Sequence, residues 1–186
     1  MKELVDLKSF SNEGYIPSKS KLKILVWNFV NVLFFINPLN PFSSLKIFLL
    51  KLFGAEIGVG VVIKQGVNIK YPWFLSIGDY SWIGENVWID NLAHVDIQSN
   101  VCISQGAMLL TGNHNFTKST FDLILGEISL ESGVWIGAKS VVCPGVRCKT
   151  HAVLTVGSVA TTHLEPYSVN QGNPALNVKA RKMSIS

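Results

Sequence analysis

The chain is poor in charge. Asp, Glu, Lys and Arg together supply 15% of its residues, whereas 48% are hydrophobic. That balance excludes a disordered, solvated polymer. Cysteine is scarce and odd in number: the three present form no CxxC pair and no metal-like spacing. This excludes a disulfide scaffold and points to a reducing compartment. No apolar run reaches the ~20 residues needed to cross a bilayer. The opening stretch MKELVDLKSFSNEG is polar, so the expectation is no signal peptide and a cytoplasmic location. Acidic residues are also in deficit, leaving a net charge of +4. The basic excess is scattered, with modest clusters at 139–149 and 179–182. A nucleic-acid binder would show a basic stripe interleaved with aromatics, so a small anionic ligand is the better match.

Two regions follow from the pattern: residues 1–54, and 55–186. Residues 1–20 read as an extended or weakly ordered arm. Residues 21–36 (KLKILVWNFVNVLFFI) form a candidate helix that is apolar on almost every side. It stops at Asn37-Pro38, and Pro41 prevents continuation. Ser43 or Ser44 can cap a second helix that ends at Gly54. Two destinations stay open for the first helix. It packs against the protein or a neighbouring subunit, or it also touches a membrane surface through its flanking Lys19, Lys21 and Lys23.

From Ile57 an aliphatic residue recurs at every sixth position: Ile57, Ile63, Ile69, then Ile77, Ile83, Ile89, then Ile97, Ile103, Leu109. The rhythm resumes at Leu130, Ile136, Val142, Cys148, Leu154 and Ala160. The fifth position of each unit is small or β-branched, with Trp73 the one departure. A period of six is not helical. It fits a short strand that points one residue inward, then turns. Glycine at the second position, as in Gly84 and Gly137, fits tight backbone geometry there. Coils of this kind must stack, giving an all-β solenoid with an aliphatic column. Ile57, Ile77 and Ile97 are spaced by twenty, so each early coil is three hexads plus two residues, always in the third unit. The largest excess falls in the same place, between Leu109 and Leu130. Spacing alone therefore predicts that Tyr71–Trp73, Asn91–His94 and the loop 111–127 lie one above another along one edge.

That loop reads TGNHNFTKSTFDLILGE. A protruding loop of this length with an apolar tip packs on something or binds something. Its His114 has the chemistry of a general base near neutral pH.

The hexads, the GNHN loop, the resumption GVWIGAKSVVCPGV and the ending GNPALNVKAR resemble the left-handed parallel β-helix acetyltransferases of the hexapeptide-repeat family. LLKLFGAEIG and IKYPWFLSIGDYSWIGENV are similar to a narrower group, the colanic-acid-biosynthesis acetyltransferases. The resemblance implies acetyl-CoA as donor, a sugar or glycan acceptor, and a homotrimer with active sites between subunits. It implies His114 as the catalytic base and Trp135 beside the acetyl-CoA channel. Ala138, Val156 and Gly157 match positions lining the pantetheine arm, and Thr161, Thr162 and Lys179 match the nucleotide end of the groove. Relatives often carry Thr-Lys and Arg there, so Thr162 and Lys179 are departures, for which Lys139, Arg147, Lys149 or Arg181 are candidate substitutes. Glu127 stands where relatives often have proline. It either orients the histidine or is a solvated loop acid.

On the acceptor side the stacking nominates Asp90, Asn91 and His94, with Asn86 one unit earlier and Glu85 beside it. Their alternative is surface turn residues. Two other functions compete: a hexapeptide carbonic anhydrase, which needs three histidines on a metal and finds no close pair among His94, His114, His151 and His163, and a non-enzymatic scaffold or binding module. The expected metal content is none. An acceptor carried on lipid at the inner face of the membrane is one expectation for residues 21–36.

Overall fold

The computed structural model describes residues 4–11, 14, 15 and 17–184; residues 1–3, 12, 13 and 16 of the arm and 185–186 of the tail lie outside these. Strands of two or three residues stack in parallel into three faces. Sheet one contains Glu56–Ile57, Leu75–Ile77, Val95–Ile97, Ile128–Leu130 and Arg147–Cys148. Sheet two runs through Val62–Ile63, Trp82–Ile83, Cys102–Ile103, Trp135–Ile136 and Val153–Leu154. It is closed by the antiparallel pair Ser168–Gly172 and Ala175–Ala180. Sheet three holds Asn68–Ile69, Trp88–Asp90, Met108–Leu110, Val141–Val142 and Val159–Ala160.

Every residue of the aliphatic phase is buried, and each stands on its counterpart in the next coil. Ile57 pairs with Ile77, Ile77 with Ile97, Ile97 with Leu130 and Leu130 with Cys148. Each such burial contributes roughly 1.5–3 kcal/mol. Cys148 sits in this column, and burial pushes its thiol up to about 12, consistent with a small hydrophobe.

The two surplus residues of each early coil all fall at the corner where sheet three passes to sheet one. They push Trp73 and Ala93 out of the core, and Leu75, Val95 and Ile128 take the inward place in register. The tight backbone geometry expected at the second-position glycines arises from the stacking of coils. At Gly84 and Gly137 an added Cβ would meet the backbone nitrogen of the next coil at 2.7 Å and 2.6 Å, so these glycines allow close stacking. The left-handed turn residues lie two positions later, including Asn86 (φ 57) and Lys139 (φ 55).

The N-terminal helices close the first coil. Helix α1 (Lys21–Val30) continues as a wider π-helical segment, Asn31–Ile36, and α2 spans Ser43–Phe53. Trp27, Phe35, Leu50 and Phe53 join the same core as Ile57, Ile63 and Ile69, so the change of secondary structure at residue 54 does not separate two cores. Trp27 Nε1 donates to the Ile69 carbonyl at 2.9 Å. Gly54 ends α2 at φ 103. Neither serine caps α2: Phe42 holds the N-cap position with no side-chain bond. The Ser43 hydroxyl instead accepts from Ile63 N and so ties the start of the helix to the first coil. Lys46 is fully buried, and its Nζ donates to the carbonyls of Asn40 and Lys64.

Candidate active site

The loop after Leu110 is an antiparallel hairpin in which Gly112–His114 pairs with Leu123–Leu125. Its tip is tied by Asn115 N to the Asp122 carbonyl, and by Lys118 and Thr120 to the Asp122 carboxylate. Those two side-chain bonds hold the Asp122 carboxyl below its ordinary range. Phe121 adopts φ 53, an uncommon conformation for a bulky residue. The result is that its carbonyl and its ring both face His114. The His114 Nδ1 lies 2.8 Å from the Phe121 carbonyl. A carbonyl only accepts, so Nδ1 carries the proton and Nε2 is left with a free lone pair. The rings of Phe121 and His114 stack at 4.7 Å, and Phe10 meets the imidazole edge-on at 5.7 Å. Leu7, Phe10, His114 and Phe121 line an apolar cavity of about 290 Å³. The imidazole is therefore oriented by a backbone carbonyl, and Glu127 is an exposed loop acid with no ion pair among the described residues.

The stacked edge exists as spacing predicts. Asn91 is fully buried. Its Oδ1 accepts from Tyr71 N, and its Nδ2 donates to the carbonyls of Tyr71 and Phe74. One coil on, the Thr111 hydroxyl donates to the Asp90 carbonyl and accepts from Ala93 N. Asn91 thus builds the corner that carries the His114 loop, and its amide is not offered to solvent. Asp90 and His94 are half-buried at the same corner. Lys70 Nζ stands 3.0 Å from Asp90 Oδ1 but outside hydrogen-bond geometry, so this buried oxygen lacks an aligned donor. His94 Nε2 lies 3.2 Å from the Ser76 hydroxyl. Tyr15 adds a further group: its hydroxyl donates to the Leu92 carbonyl, and burial, then Tyr71 and Asp90, raise its pKa. Phe10 and Tyr15 escape sequence reasoning because the arm carries no repeat.

Another corner, from sheet two to sheet three, holds a second column. Asn86 N donates to Gln65 O, Gly106 N to Glu85 O, Lys139 N to Gln105 O and Gly157 N to Ala138 O. Ala138, Val156 and Gly157 are therefore neighbours along one ridge, with Trp135 just before it on sheet two. Trp135 is half exposed and donates from Nε1 to the Ser104 hydroxyl. An added Cβ on Gly157 would meet nothing within 4 Å, so that ridge is open. Asn86 and Glu85 belong to this ridge, not to the Asp90–His94 corner. Thr161 and Thr162 are exposed at the corner of the His114 loop, two coils beyond it.

No protein-family model matches the chain. The "Putative colanic acid biosynthesis acetyltransferase WcaF" of Escherichia coli is 32% identical over 176 residues, covering 95% of this chain and 97% of that protein. The chain belongs to the hexapeptide-repeat acetyltransferases. Two solved structures share its fold. One is a hexapeptide-repeat acetyltransferase of Vibrio cholerae complexed with acetyl coenzyme A, with TM-score 0.81, 19% identity and coverage of 95% and 97% of the two chains. The other is a galactoside acetyltransferase in complex with coenzyme A, with TM-score 0.76, 23% identity and coverage of 87% and 82%. The fold is thus the left-handed parallel β-helix, and this acetyltransferase is an acyltransferase.

The acetyltransferase's basic residues divide into two sets. Arg147 is paired with Glu131 and Lys149 with Glu165. The Arg181 guanidinium donates to the carbonyls of Gly133 and His151. Lys139 and Lys179 are exposed and have no ion pair among the described residues. Lys179 and Lys182 line a cavity of about 480 Å³ beside the closing hairpin. Among the described residues no three His, Cys, Asp or Glu side chains converge as metal ligands.

Proposed function

We propose that this acetyltransferase moves the acetyl group of acetyl-CoA onto a sugar hydroxyl in bacterial exopolysaccharide or surface-glycan biosynthesis. The observation that carries this reading is His114, whose Nδ1 is held by the Phe121 carbonyl so that Nε2 stands free. Nε2 takes the proton of the acceptor hydroxyl as its oxygen attacks the thioester carbonyl. The tetrahedral intermediate collapses, the ester forms, and the coenzyme A thiolate leaves with that proton. Asp90, His94 and Tyr15 frame the acceptor, with Asn91 setting their backbone. Trp135, Ala138, Val156 and Gly157 line the pantetheine arm. Lys179 and Lys139, both exposed and without acid partners, take the 3′-phosphate, with Thr161 and Thr162 near the nucleotide.

The base and the pantetheine ridge occupy different corners of one chain. A complete site in this reading joins the His114 corner of one subunit to the ridge of the next, in a homotrimer. The sugar names of two structural neighbours, a maltose O-acetyltransferase of Clostridium difficile and the galactoside enzyme, support a carbohydrate acceptor. The test is coenzyme A release over a panel of sugar acceptors. His114→Ala should lower kcat by about 10²–10⁴-fold without changing the melting temperature. Unchanged turnover removes the base role, and no turnover by the wild type on any acceptor favours a binding module.

A further inference from the structure

The helical cap presents an apolar surface that the core does not use. The inward side of α1 is occupied by Trp27, Asn31 and Phe35. The outward side carries Leu22, Leu25 and Phe29, which are 70%, 66% and 67% exposed. Leu39 and Phe42 of the connection and Phe48 on α2 are exposed as well. Beneath this face the buried rings of Trp27 and Phe53 touch across the two helices at 5.2 Å, so the helices form one cap. A water-facing helix would carry polar residues at these positions. Apolar patches of this extent mark interaction surfaces.

The charge around the patch selects the occupant. Between Tyr15 and Glu56 there are five lysines, Lys19, Lys21, Lys23, Lys46 and Lys51, and no acidic residue. Lys46 is buried on backbone carbonyls. Lys23 lies over the rings of Phe53 and Trp73. Lys19, Lys21 and Lys51 remain exposed at the rim. A second copy seated cap to cap would set these lysines against each other with no carboxylate within the segment to offset them. An apolar face rimmed by cations matches a surface that is apolar inside and anionic outside. No helix is long and apolar enough among the described residues to cross a membrane, so the match is to a helix pair lying in the interface plane.

We infer that the α1–α2 cap docks this protein on an anionic lipid surface. The inference stands on the cap alone and does not rest on the chemistry assigned to His114. It has one consequence for that chemistry. Trp73, whose Nε1 donates to the Pro17 carbonyl, begins the sheet-three-to-sheet-one corner beside the cap. The His114 loop lies two coils further along that corner, on the order of 10 Å at ~4.8 Å per coil, which is headgroup distance from a docked cap.

The test is co-sedimentation of the full chain with phosphatidylcholine vesicles, with and without phosphatidylglycerol. The protein should pellet with the anionic vesicles, about tenfold less with phosphatidylcholine alone, and less as salt rises. The double change Leu25→Ser and Phe29→Ser replaces exposed side chains, so the fold should survive, checked by circular dichroism and by elution volume. It should reduce pelleting by about tenfold or more. Lys19→Gln with Lys21→Gln and Lys51→Gln should abolish the anionic preference. The inference is overturned if the protein pellets with neither vesicle or if the double change leaves pelleting intact. It is equally overturned if that change alters the oligomeric mass, which would show a second copy covering the face.

Discussion

Phe121 shows how much one residue decides. Its left-handed backbone costs an L-residue roughly 1–2 kcal/mol, yet it turns a carbonyl onto His114 Nδ1 and a ring onto the imidazole face. Phe121→Gly removes the backbone cost, while the added freedom of glycine in the unfolded chain takes back about 0.5–1 kcal/mol. The melting temperature should therefore hardly move. The kcat should fall by about tenfold or more because the imidazole loses its stacking partner and its fixed acceptor, with KM for acetyl-CoA unchanged. An unaltered kcat would mean that the carbonyl alone positions the histidine. GNHN as a motif picks out His114, but no pattern in TGNHNFTKSTFDLILGE announces that its orienting acceptor is a backbone carbonyl seven residues later. Glu127, nearer to the resumed strand and charged, is the more obvious partner from sequence, yet it is exposed and the ring's Nδ1 is taken by the Phe121 carbonyl.

Among the elements, the corner between sheets three and one is the part on which the site stands. Asn91 satisfies one N–H and two carbonyls of the coil before it while fully buried. Asn91→Ala would leave the Tyr71 N–H and the Phe74 carbonyl unpaired, the Tyr71 carbonyl keeping its bond from Phe74 N, and should cost about 2–4 kcal/mol, read as a lower denaturant midpoint at constant m-value. The kcat should fall with it, because Thr111, the root of the His114 hairpin, is bonded to the same corner through Asp90 and Ala93. A midpoint equal to the wild type's would show that water replaces the amide. The existence of this edge is legible from residue counting, since surplus residues recur in one unit of each coil. The role of Asn91 is not. A polar residue at a coil corner reads equally as a ligand group or as a bracket for the backbone, and only its burial separates the two.

At the scale of the whole molecule, the three-sided coil keeps the two halves of the proposed site apart. His114 leaves one corner, and Ala138, Val156 and Gly157 line another. A trimer with shared sites predicts complementation. Val156→Trp fills the pantetheine ridge and His114→Ala removes the base, so each alone should be inactive. Subunits of the two kinds, unfolded together and refolded, should regain about a quarter of wild-type activity, because one interface in four then pairs an intact base with an intact ridge. No recovery in mixed oligomers, verified by mass, would place the whole site within one chain.

The repeat itself was enough to specify the solenoid. An aliphatic residue every sixth position has only one way to be buried, and that is by stacking coils so that Ile57, Ile77, Ile97 and Leu130 form a column. It also determined where the coil is interrupted, because inserted residues can leave a packed column only at a corner. What the sequence left undecided depends on contacts between residues far apart along the chain. The direction of the His114 proton is set by Phe121, the cover over the imidazole by Phe10, and the state of Arg147, Lys149 and Arg181 by the carboxylates and carbonyls they meet. The division of Asn86 and Asp90 between two corners is also a fact of three dimensions: residues four apart on one coil point toward different edges once the chain has turned.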